Sequence, residues 1–322
     1  MKLEPVPLSA IDLSDTTYRI SLAEPDEALR DSLKRIGLLH PPLLRQSPDG
    51  LQHRIVCGFR RIACALQLDW ESMPALLLET PEAGPRDCLL RNYRENRLLR
   101  ELHLCEKAQL VDKLHGMAGL SDAELLSDVL IELQLPANRT TLDRLLRIHR
   151  WPRELQRSAF LADLAPQPLM RLADLDPEEA AAVIRLLCGF RWSHSRQKQL
   201  LSILLDVAAM QNRSVKALAA EIHETARSKD PNRPLPQKAE EIRQQLRRLR
   251  YPRVTRTEAE YRRLRQALRL GPEVIFQEPP EFEGDRYRVE FQFRDGREYA
   301  RILQQLQQAA ATPEFEALLE LL

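Results

Sequence analysis

Residues 53–68 read HRIVCGFRRIACALQL, and this stretch contains the sharpest change of local pattern in the chain. A short apolar run ends at Gly58, which predicts a strand that stops at the glycine. Residues 59–68 then carry apolar side chains at helical spacing, so we expect a helix to begin directly after Gly58. Arg60 and Arg61 fall in its first turn, where they oppose the helix dipole. This helix start combines free backbone N–H groups with two guanidinium groups, which predicts a phosphate site. The alternative is that Arg60 and Arg61 are solvated surface residues.

The first 85 residues predict a small mixed α/β unit around this stretch. Apolar runs bounded by proline or glycine predict strands, and apolar residues at a spacing of three and four predict a first helix that Gly37 ends. The expected order is strand, helix, strand, strand, helix, strand. Besides the elements on either side of Gly58, the segments are Val6–Ile11, Glu27–Ile36, Pro42–Arg45 and Met73–Leu78.

Composition excludes several classes of protein. The 322 residues suffice for two or three domains with real cores, since 43% are hydrophobic. With 48 basic and 47 acidic residues the net charge is +1, so a nucleic-acid contact would have to use a local patch. Five cysteines without CxxC spacing predict reduced thiols in a cytosolic protein. We expect neither a membrane span nor a secretion signal, because no run of about 18 apolar residues occurs and the first residues lack an apolar core.

From residue 88 to residue 226 the pattern is helical, with short breaks. Ser121 and Glu124 form a capping box at one helix start, and a turn at Leu135–Asn138 leads into a second helix, Arg139–Arg150. This arrangement predicts a helix-turn-helix, with an ordinary helical hairpin as the alternative. We expect core positions at Leu142, Leu145, Leu146 and His149. Polar and basic residues left on the outer face are the candidates for DNA contacts: Arg139, Thr140, Thr141, Arg144 and Arg147.

The last third begins with a polar, proline-rich segment that predicts a linker over 229–237. Lys238–Leu270 is helical, interrupted at Pro252, and holds eleven basic against four acidic residues. Such a stretch could contact phosphates without reading sequence, or could be an amphipathic helix whose arginine stems cover apolar neighbours. A β-hairpin follows, in which Tyr287–Phe293 alternates as a half-buried strand does, and a final helical pattern closes the chain.

The first ~110 residues resemble the ParB/sulfiredoxin-type N-terminal domain of the ParB family. The resemblance rests on the segments already quoted, on Tyr18–Ser21, on Leu29–Arg45 and on Met73-Pro74. In that family a GxRR motif and a later E-N…R motif bind CTP with Mg²⁺. Carried over, the cofactor-binding residues are Arg19, Gly58, Arg60, Arg61, Glu95, Asn96 and Arg100, and Glu95 is the candidate metal ligand.

Two departures from the family pattern matter. After Asn96 the basic residue lies one place off the family's spacing, unless Arg100 takes its place with a shift. Phe59 stands where nucleotide-active ParB proteins carry Glu, and an aromatic ring cannot coordinate Mg²⁺, which prefers oxygen ligands. CTP hydrolysis is therefore in doubt, whereas phosphate binding by the two arginines is not. Sulfiredoxin needs a reactive cysteine in the position of Phe59, so that reaction is rejected, and Cys57 is expected to be a buried thiol.

The resemblance implies an α+β protein of several domains. These are a nucleotide-binding domain over 1–87, an all-helical domain over 88–228 with the helix-turn-helix, the linker, and a C-terminal part over 238–322 that dimerises. It implies DNA as a partner, a partition ATPase, a homodimer, and a cytoplasmic, nucleoid-associated protein that acts in DNA partition or DNA-linked regulation. Two alternatives stay open. One is a nuclease or nucleotide-hydrolysing enzyme that would need a carboxylate cluster, for which Glu95, Glu101 and Glu106 are the candidates. The other is a protein–protein adaptor that has kept the fold and lost its ligands.

Overall fold

The computed structural model describes residues 1–47, 50–78, 84–190, 192–228, 234–282 and 284–322. The chain divides into two compact units, one of residues 1–201 with 214–221 and one of residues 202–213 with 222–322. The four domain ranges expected from the sequence remain a prediction. No helix among the described residues is both long and apolar enough to cross a lipid bilayer.

A four-stranded mixed sheet organises the start of the first unit. The strand order is β1-β4-β2-β3, with β4 antiparallel to β1 and parallel to β2, and β2 antiparallel to β3. The predicted order of strands and helices is confirmed. The first strand was predicted at Val6–Ile11, but it begins four residues earlier, at Lys2, and ends at Pro7, where a 3-10 turn at Leu8–Ala10 follows. The elements are β1 (Lys2–Pro7), α1 (Glu27–Ile36), β2 (Leu43–Gln46), β3 (His53–Cys57), α2 (Phe59–Gln67) and β4 (Ser72–Leu78).

One face of this sheet packs under α2. The core of the unit joins side chains from β1, β2 and β3 to Ile62 and Ala65 of α2, both at most 1% exposed. Gly37 ends α1 with a φ of +74°, a conformation that side chains with a Cβ rarely adopt. The sheet thus fixes the end of β3 and the start of α2, which is where the quoted sequence changes pattern.

From residue 85 to residue 228 the described residues form a series of helices. In α5 the middle segment Leu125–Val129 is a π-helical turn between two α-helical segments, Asp122–Glu124 and Leu130–Glu132. The other helices are α3 (Pro85–Leu99), α4 (Leu104–Gly116), α6 (Arg139–Arg150), α7 (Arg153–Leu161), α8 (Pro166–Leu172), α9 (Pro177–Cys188), α10 (His194–Met210) and α11 (Val215–Ser228). The bounds of α6 are those predicted from its sequence pattern.

The C-terminal part combines two helices, a β-hairpin and two further helices. The predicted linker lies partly outside the described residues, and α12 already begins at Leu235 within it. The strand predicted at Tyr287–Phe293 is present but shorter, Arg288–Phe291, and it pairs antiparallel with the strand Val274–Gln277. The prediction that it is half-buried is wrong, since all of it except Phe291 is exposed and the alternation of buried and exposed residues lies on Val274–Gln277. The elements are α12 (Leu235–Arg250), α13 (Pro252–Ala267), β5 (Val274–Gln277), β6 (Arg288–Phe291), α14 (Gly296–Ala310) and α15 (Pro313–Leu319).

The architecture is α+β, as predicted, with a small mixed sheet, a helical middle and a two-stranded antiparallel hairpin near the C-terminus. All five cysteines are free thiols, and four of them are buried.

Candidate functional site

A cavity of about 380 Å³ opens between α1, α2 and α3. Its wall contains Gly58, Arg60, Arg61, Glu95 and Asn96, so the fold brings together five of the seven residues predicted to bind a cofactor. The rest of the wall is largely apolar and includes Leu29, Leu33, Leu38, Leu39, Phe59, Leu98 and Leu99. The cavity therefore joins two guanidinium groups to an apolar surface.

Gly58 sets the geometry at the start of α2. Its φ is +94°, and a Cβ built on it would lie 2.7 Å from Cβ of Pro42, so both the backbone conformation and the close approach require glycine. No side chain caps α2, and its first turn contains no acidic residue. The first N–H groups of a helix need partners that the helix itself does not supply, and an anion is a suitable partner.

Arg60 has one buried donor atom, Nε, that makes no hydrogen bond to the described residues. Its Nη2 donates to a carboxylate oxygen of Asp26, while its Nε is buried and has no hydrogen-bond partner among the described residues. The other oxygen of Asp26 accepts from the backbone N of Leu29 at 2.8 Å and so caps α1. A buried N–H of a guanidinium without a partner costs free energy, and a phosphate oxygen could relieve that cost if the Arg60 side chain turned to expose Nε to the cavity.

Arg61 is held more completely than Arg60. Its Nη1 donates to the backbone oxygen of His40 at 2.6 Å, and its Nη2 donates to the carboxylate of Glu95.

Burial, together with the nearby carboxylate of Glu95, raises the pKa of the Cys57 thiol well above its usual range. Cys57 is thus the buried, unreactive thiol expected from the sequence.

Asn92 is a cavity residue that the sequence reasoning missed. It is 2% exposed, and its Nδ2 donates to the backbone oxygen of Val56 at 2.5 Å, which ties α3 to β3. Asn96, one turn later, donates through Nδ2 to the backbone oxygen and to Oδ1 of Asn92, at 2.9 and 2.8 Å. The i, i+4 spacing from Asn96 was the signal that could have revealed Asn92.

Arg100 and Arg19 do not line the cavity. The α3 helix ends at Leu99 and Arg100 is extended, so its guanidinium turns instead to Glu106 and donates to both carboxylate oxygens at 2.6 Å. Glu106 is fully buried and also accepts from the backbone N of Leu22 at 2.8 Å. Arg19 bonds Glu24 at 3.2 Å. Both arginines contact the cavity residue Ser21, Arg19 through Nε to its backbone oxygen at 3.3 Å and Arg100 through Nη2 to its Oγ at 2.9 Å.

The donor set of the cavity does not suit Mg²⁺. Glu95, the candidate ligand, is paired with Arg61, and Phe59 places a ring where an oxygen ligand would be needed. Within the described part of the chain, no three His, Cys, Asp or Glu side chains come close enough together to hold a metal ion. Of the other acidic candidates, Glu106 is paired with Arg100 and Glu101 lies 3.6 Å from Lys107.

The second candidate surface is α6 with the turn before it. The capping box of Ser121 and Glu124 is present at the start of α5, and Asn138 caps α6 by accepting from the backbone N of Thr141 at 2.9 Å. Thr141, predicted to face outward, is buried with 6% exposure, because it lies one turn before Leu145 on the core face. Ile148 completes the core face, and the predicted core positions Leu146 and His149 are only partly buried.

The outward arginines of α6 are paired with carboxylates. Arg139 bonds Asp143 at 3.0 Å and also pairs with Asp122 of α5. Arg144 donates to both oxygens of Asp174, at 3.0 and 2.6 Å, and Arg147 reaches the same carboxylate at 3.3 Å. The side chain of Thr140 is exposed. Any phosphate or base at this face would compete with these acids for the guanidinium groups.

Known proteins were compared with the chain, and no family model matches it. It is 26% identical over 153 residues to the nucleoid occlusion protein of Bacillus cereus (strain ATCC 10987 / NRS 248), an alignment that covers 48% of this chain and 49% of that protein. The nucleoid occlusion protein of Bacillus thuringiensis (strain Al Hakam) matches with the same identity and coverage. The chain thus spans about half the length of the curated relatives it matches.

Two solved structures of the C-terminally truncated chromosome-partitioning protein ParB from Caulobacter crescentus are also similar. The complex with CTP-gamma-S is 20% identical, covers 58% of this chain and 99% of that chain, and has a TM-score of 0.27. The complex with the centromeric parS site is 19% identical, covers 62% and 98%, and has a TM-score of 0.35. Both TM-scores are below 0.5, and neither superposition bears on how this chain is arranged. The predicted resemblance to the ParB family is confirmed by the curated relatives.

Proposed function

We propose that this relative of ParB-family proteins is a DNA-binding protein whose N-terminal cavity binds a nucleotide, CTP. Its role would lie in DNA partition, nucleoid occlusion or another DNA-linked process. The observation that carries the proposal is the cavity itself, because Gly58, Arg60, Arg61 and Asn96 line it together and Nε of Arg60 has no hydrogen-bond partner among the described residues. The names of the relatives supply the biological setting.

The cavity would hold the two ends of a nucleotide differently. The phosphates would lie at the start of α2, where the uncapped backbone N–H groups and Nε of Arg60 can donate to oxygens. The leucine-rich wall would cover the base and the ribose, which have apolar faces. Arg61 would contribute once a phosphate competes with Glu95 for its Nη2.

Mg²⁺, which the family resemblance implies, is not part of this proposal. The cavity offers Phe59 where the family carries Glu, and Glu95 is already paired with Arg61. We accordingly propose nucleotide binding without efficient hydrolysis. The nuclease or hydrolase alternative has no support from the described residues, because it needs a carboxylate cluster that they do not form.

DNA would bind through α6 and the turn before it. Arg139, Arg144 and Arg147 are exposed or half-exposed and lie on the polar side of a helix whose other side is core, which is the arrangement that major-groove contact requires. Asp122, Asp143 and Asp174 hold these arginines until DNA replaces them. Thr141 is left out of the proposed interface because it is buried.

The remaining parts of the proposal rest on the resemblance alone. They are a homodimer formed through the C-terminal part, a partition ATPase as partner, and a place in the cytoplasm on the nucleoid. The adaptor alternative has one observation in its favour, since each cavity arginine is already paired with a carboxylate of the same chain.

A titration separates the proposal from its alternatives. The protein is titrated with CTP, ATP, GTP and UTP by calorimetry, with and without duplex DNA, in buffer that contains EDTA and again in buffer that contains Mg²⁺. We expect saturable binding of CTP in both buffers and a change in its affinity when DNA is present. Absence of any nucleotide and DNA binding would instead establish the adaptor, and rapid turnover of CTP would establish the enzyme.

A further inference from the structure

Positive charge is concentrated in one segment of the second compact unit. Residues 238–270, which form α12 and α13, carry eleven basic and four acidic side chains. Residues 271–322 carry five basic and eleven acidic side chains. The net charge of +1 for the whole chain therefore hides two segments of opposite sign, and the basic one is a pair of helices joined at Pro252.

Half of the arginines in this segment form ion pairs with carboxylates of the same chain. Arg243 pairs with Glu240 at 2.6 Å, and Arg263 pairs with Glu260 at 2.5 Å. Glu258 takes both Arg247, at 2.7 Å, and Arg262, at 3.7 Å. Arg250 reaches Asp206 at 3.3 Å. These pairs explain five arginines as parts of the folded surface.

The other arginines are exposed and have no carboxylate within 4.0 Å among the described residues. Like charges three or four residues apart on a helix repel each other and destabilise it. Stability of the fold alone therefore does not account for them, and an external anion would. The arginines of this second set are Arg248, Arg253, Arg256, Arg265 and Arg269.

Three of the unpaired arginines lie at the corner between the two helices. Arg248 is in the last turn of α12, and Arg253 and Arg256, three residues apart, share one face at the start of α13. The ion pair between Arg247 and Glu258 keeps the two helices together at this corner. Tyr251 lies between them with 45% of its surface exposed, and the guanidinium of Arg250 stacks 5.0 Å from the centre of its ring.

We propose that this corner, defined by Arg248, Tyr251, Arg253 and Arg256, is a second nucleic-acid site that binds the phosphate backbone without reading sequence. Guanidinium groups match phosphate oxygens in a two-pronged geometry, and ten of the eleven basic residues in the segment are arginine rather than lysine. The exposed ring of Tyr251 offers an apolar surface on which a sugar of the nucleic-acid backbone can pack, which an acidic peptide does not supply. The site lies in a different compact unit from α6, so it goes beyond the DNA contact proposed above.

The test compares two double variants with the same change in net charge. Arg253→Gln with Arg256→Gln removes two unpaired guanidinium groups, and Arg243→Gln with Arg263→Gln removes two that are paired with glutamates. Each full-length protein is titrated by fluorescence anisotropy against a duplex of random sequence over a series of NaCl concentrations. Thermal melting checks that the variants fold, and Arg248→Gln serves as a second, single probe of the corner.

For the corner variant we expect random-duplex binding at least tenfold weaker at low salt. The slope of log K against log salt should fall by about 1.8, since each lost phosphate contact lowers it by about 0.9. The paired-arginine variant should bind like the unchanged protein. Equal losses in the two variants would show that only total charge matters, and would overturn the proposal. So would an unchanged slope in the corner variant, or binding of the unchanged protein to anionic lipid vesicles but not to DNA.

Discussion

The guanidinium of Arg60 donates to the carboxylate of Asp26, which lies 34 residues earlier in the chain, while the Nε of Arg60 is buried and has no hydrogen-bond partner in the described part of the chain. The same carboxylate caps α1 through the backbone N of Leu29. One aspartate therefore fixes both the start of α1 and the orientation of an arginine in the cavity. These two tasks can be separated by mutation.

Asp26→Asn and Asp26→Ala should behave differently. Asparagine caps helices about as well as aspartate, so Asp26→Asn should leave the free energy of unfolding nearly unchanged, whereas Asp26→Ala should lower it by about 1 kcal/mol. Both variants lose the ion pair that orients Arg60, so both should bind nucleotide more weakly. Urea unfolding and CTP titration measure the two effects. If nucleotide affinity falls only in Asp26→Ala, the variant that also loses stability, then Asp26 does not position Arg60 for nucleotide binding.

Phe59 should make nucleotide binding independent of Mg²⁺. We expect the unchanged protein to bind CTP with the same affinity in Mg²⁺ and in EDTA and to release no measurable phosphate. Phe59→Glu adds a carboxylate at the position where the family carries one and should make CTP binding tighter in Mg²⁺ than in EDTA. Phe59→Gln introduces a side chain of the same size as Glu without the negative charge and should not have this effect. Brisk CTP hydrolysis by the unchanged protein would place a metal site elsewhere.

Arg144 should contribute more to sequence preference than to DNA affinity in general. Base contacts discriminate by about 1–3 kcal/mol, so Arg144→Ala should weaken binding to a duplex selected from a random pool more than binding to the pool itself. Arg171→Ala, which removes an exposed arginine from α8, is the matched control and should leave the preference unchanged. Asp174→Asn, which releases Arg144 and Arg147, should tighten binding to both DNAs. If the preference survives Arg144→Ala, α6 is not the reading helix.

Lys113 gives the fold a dependence on pH above neutrality. Its Nζ donates to the backbone oxygens of Thr16 and Thr17, at 2.6 and 2.8 Å, and burial lowers the pKa of Lys113 to about 8. An unfolded chain, in which the lysine has its usual pKa, binds more protons than the folded chain between about pH 8 and 10.5. The contribution of Lys113 to the free energy of unfolding therefore rises with pH over this window.

Lys113→Met isolates this contribution, because the other titrating groups are common to both proteins. The stability of the unchanged protein relative to Lys113→Met should increase between pH 8 and pH 10, measured by urea unfolding at each pH. A difference that stays constant over that range would mean that Lys113 keeps its usual pKa in the folded chain.

Local structure followed closely from the sequence. The bounds of α1 and α6 agree with the predicted 27–36 and 139–150, because the apolar periodicity of each helix stops at a strong signal, Gly37 in one case and Trp151-Pro152 in the other. The strand before Gly58 and the helix after it were predictable for the same reason. Five of the seven residues predicted to bind a cofactor line the cavity, because Gly58, Arg60 and Arg61 lie at this junction and Glu95 and Asn96 lie on the side of α3 that faces it.

Long-range ion pairs could not be predicted from the pattern. Asp174 lies 30 residues from Arg144, and nothing in either local sequence indicates that they meet. Arg100 was carried over from the family motif with a shift in spacing, but α3 ends at Leu99 and the side chain of Arg100 pairs with the buried Glu106. Thr141 was assigned to the outer face because of its polarity, whereas its position relative to Leu145 and Ile148 places it in the core. Polarity was a poorer guide there than helical geometry.

The affinity of the Arg60→Lys variant for CTP tests most directly whether the cavity binds phosphates through Arg60. Lysine keeps the charge and can still pair with Asp26, but it has no Nε N–H at the position where Arg60 leaves one unpartnered. Arg30→Lys, on the exposed side of α1 and paired with Glu27, is the control. A hydrogen bond to a charged group is worth about 1.5–3 kcal/mol, so calorimetry should show CTP bound about 10- to 150-fold more weakly by Arg60→Lys, with no change for Arg30→Lys. Equal CTP affinity in Arg60→Lys and the unchanged protein, with both folded, would contradict the claim that this cavity binds the phosphates through Arg60.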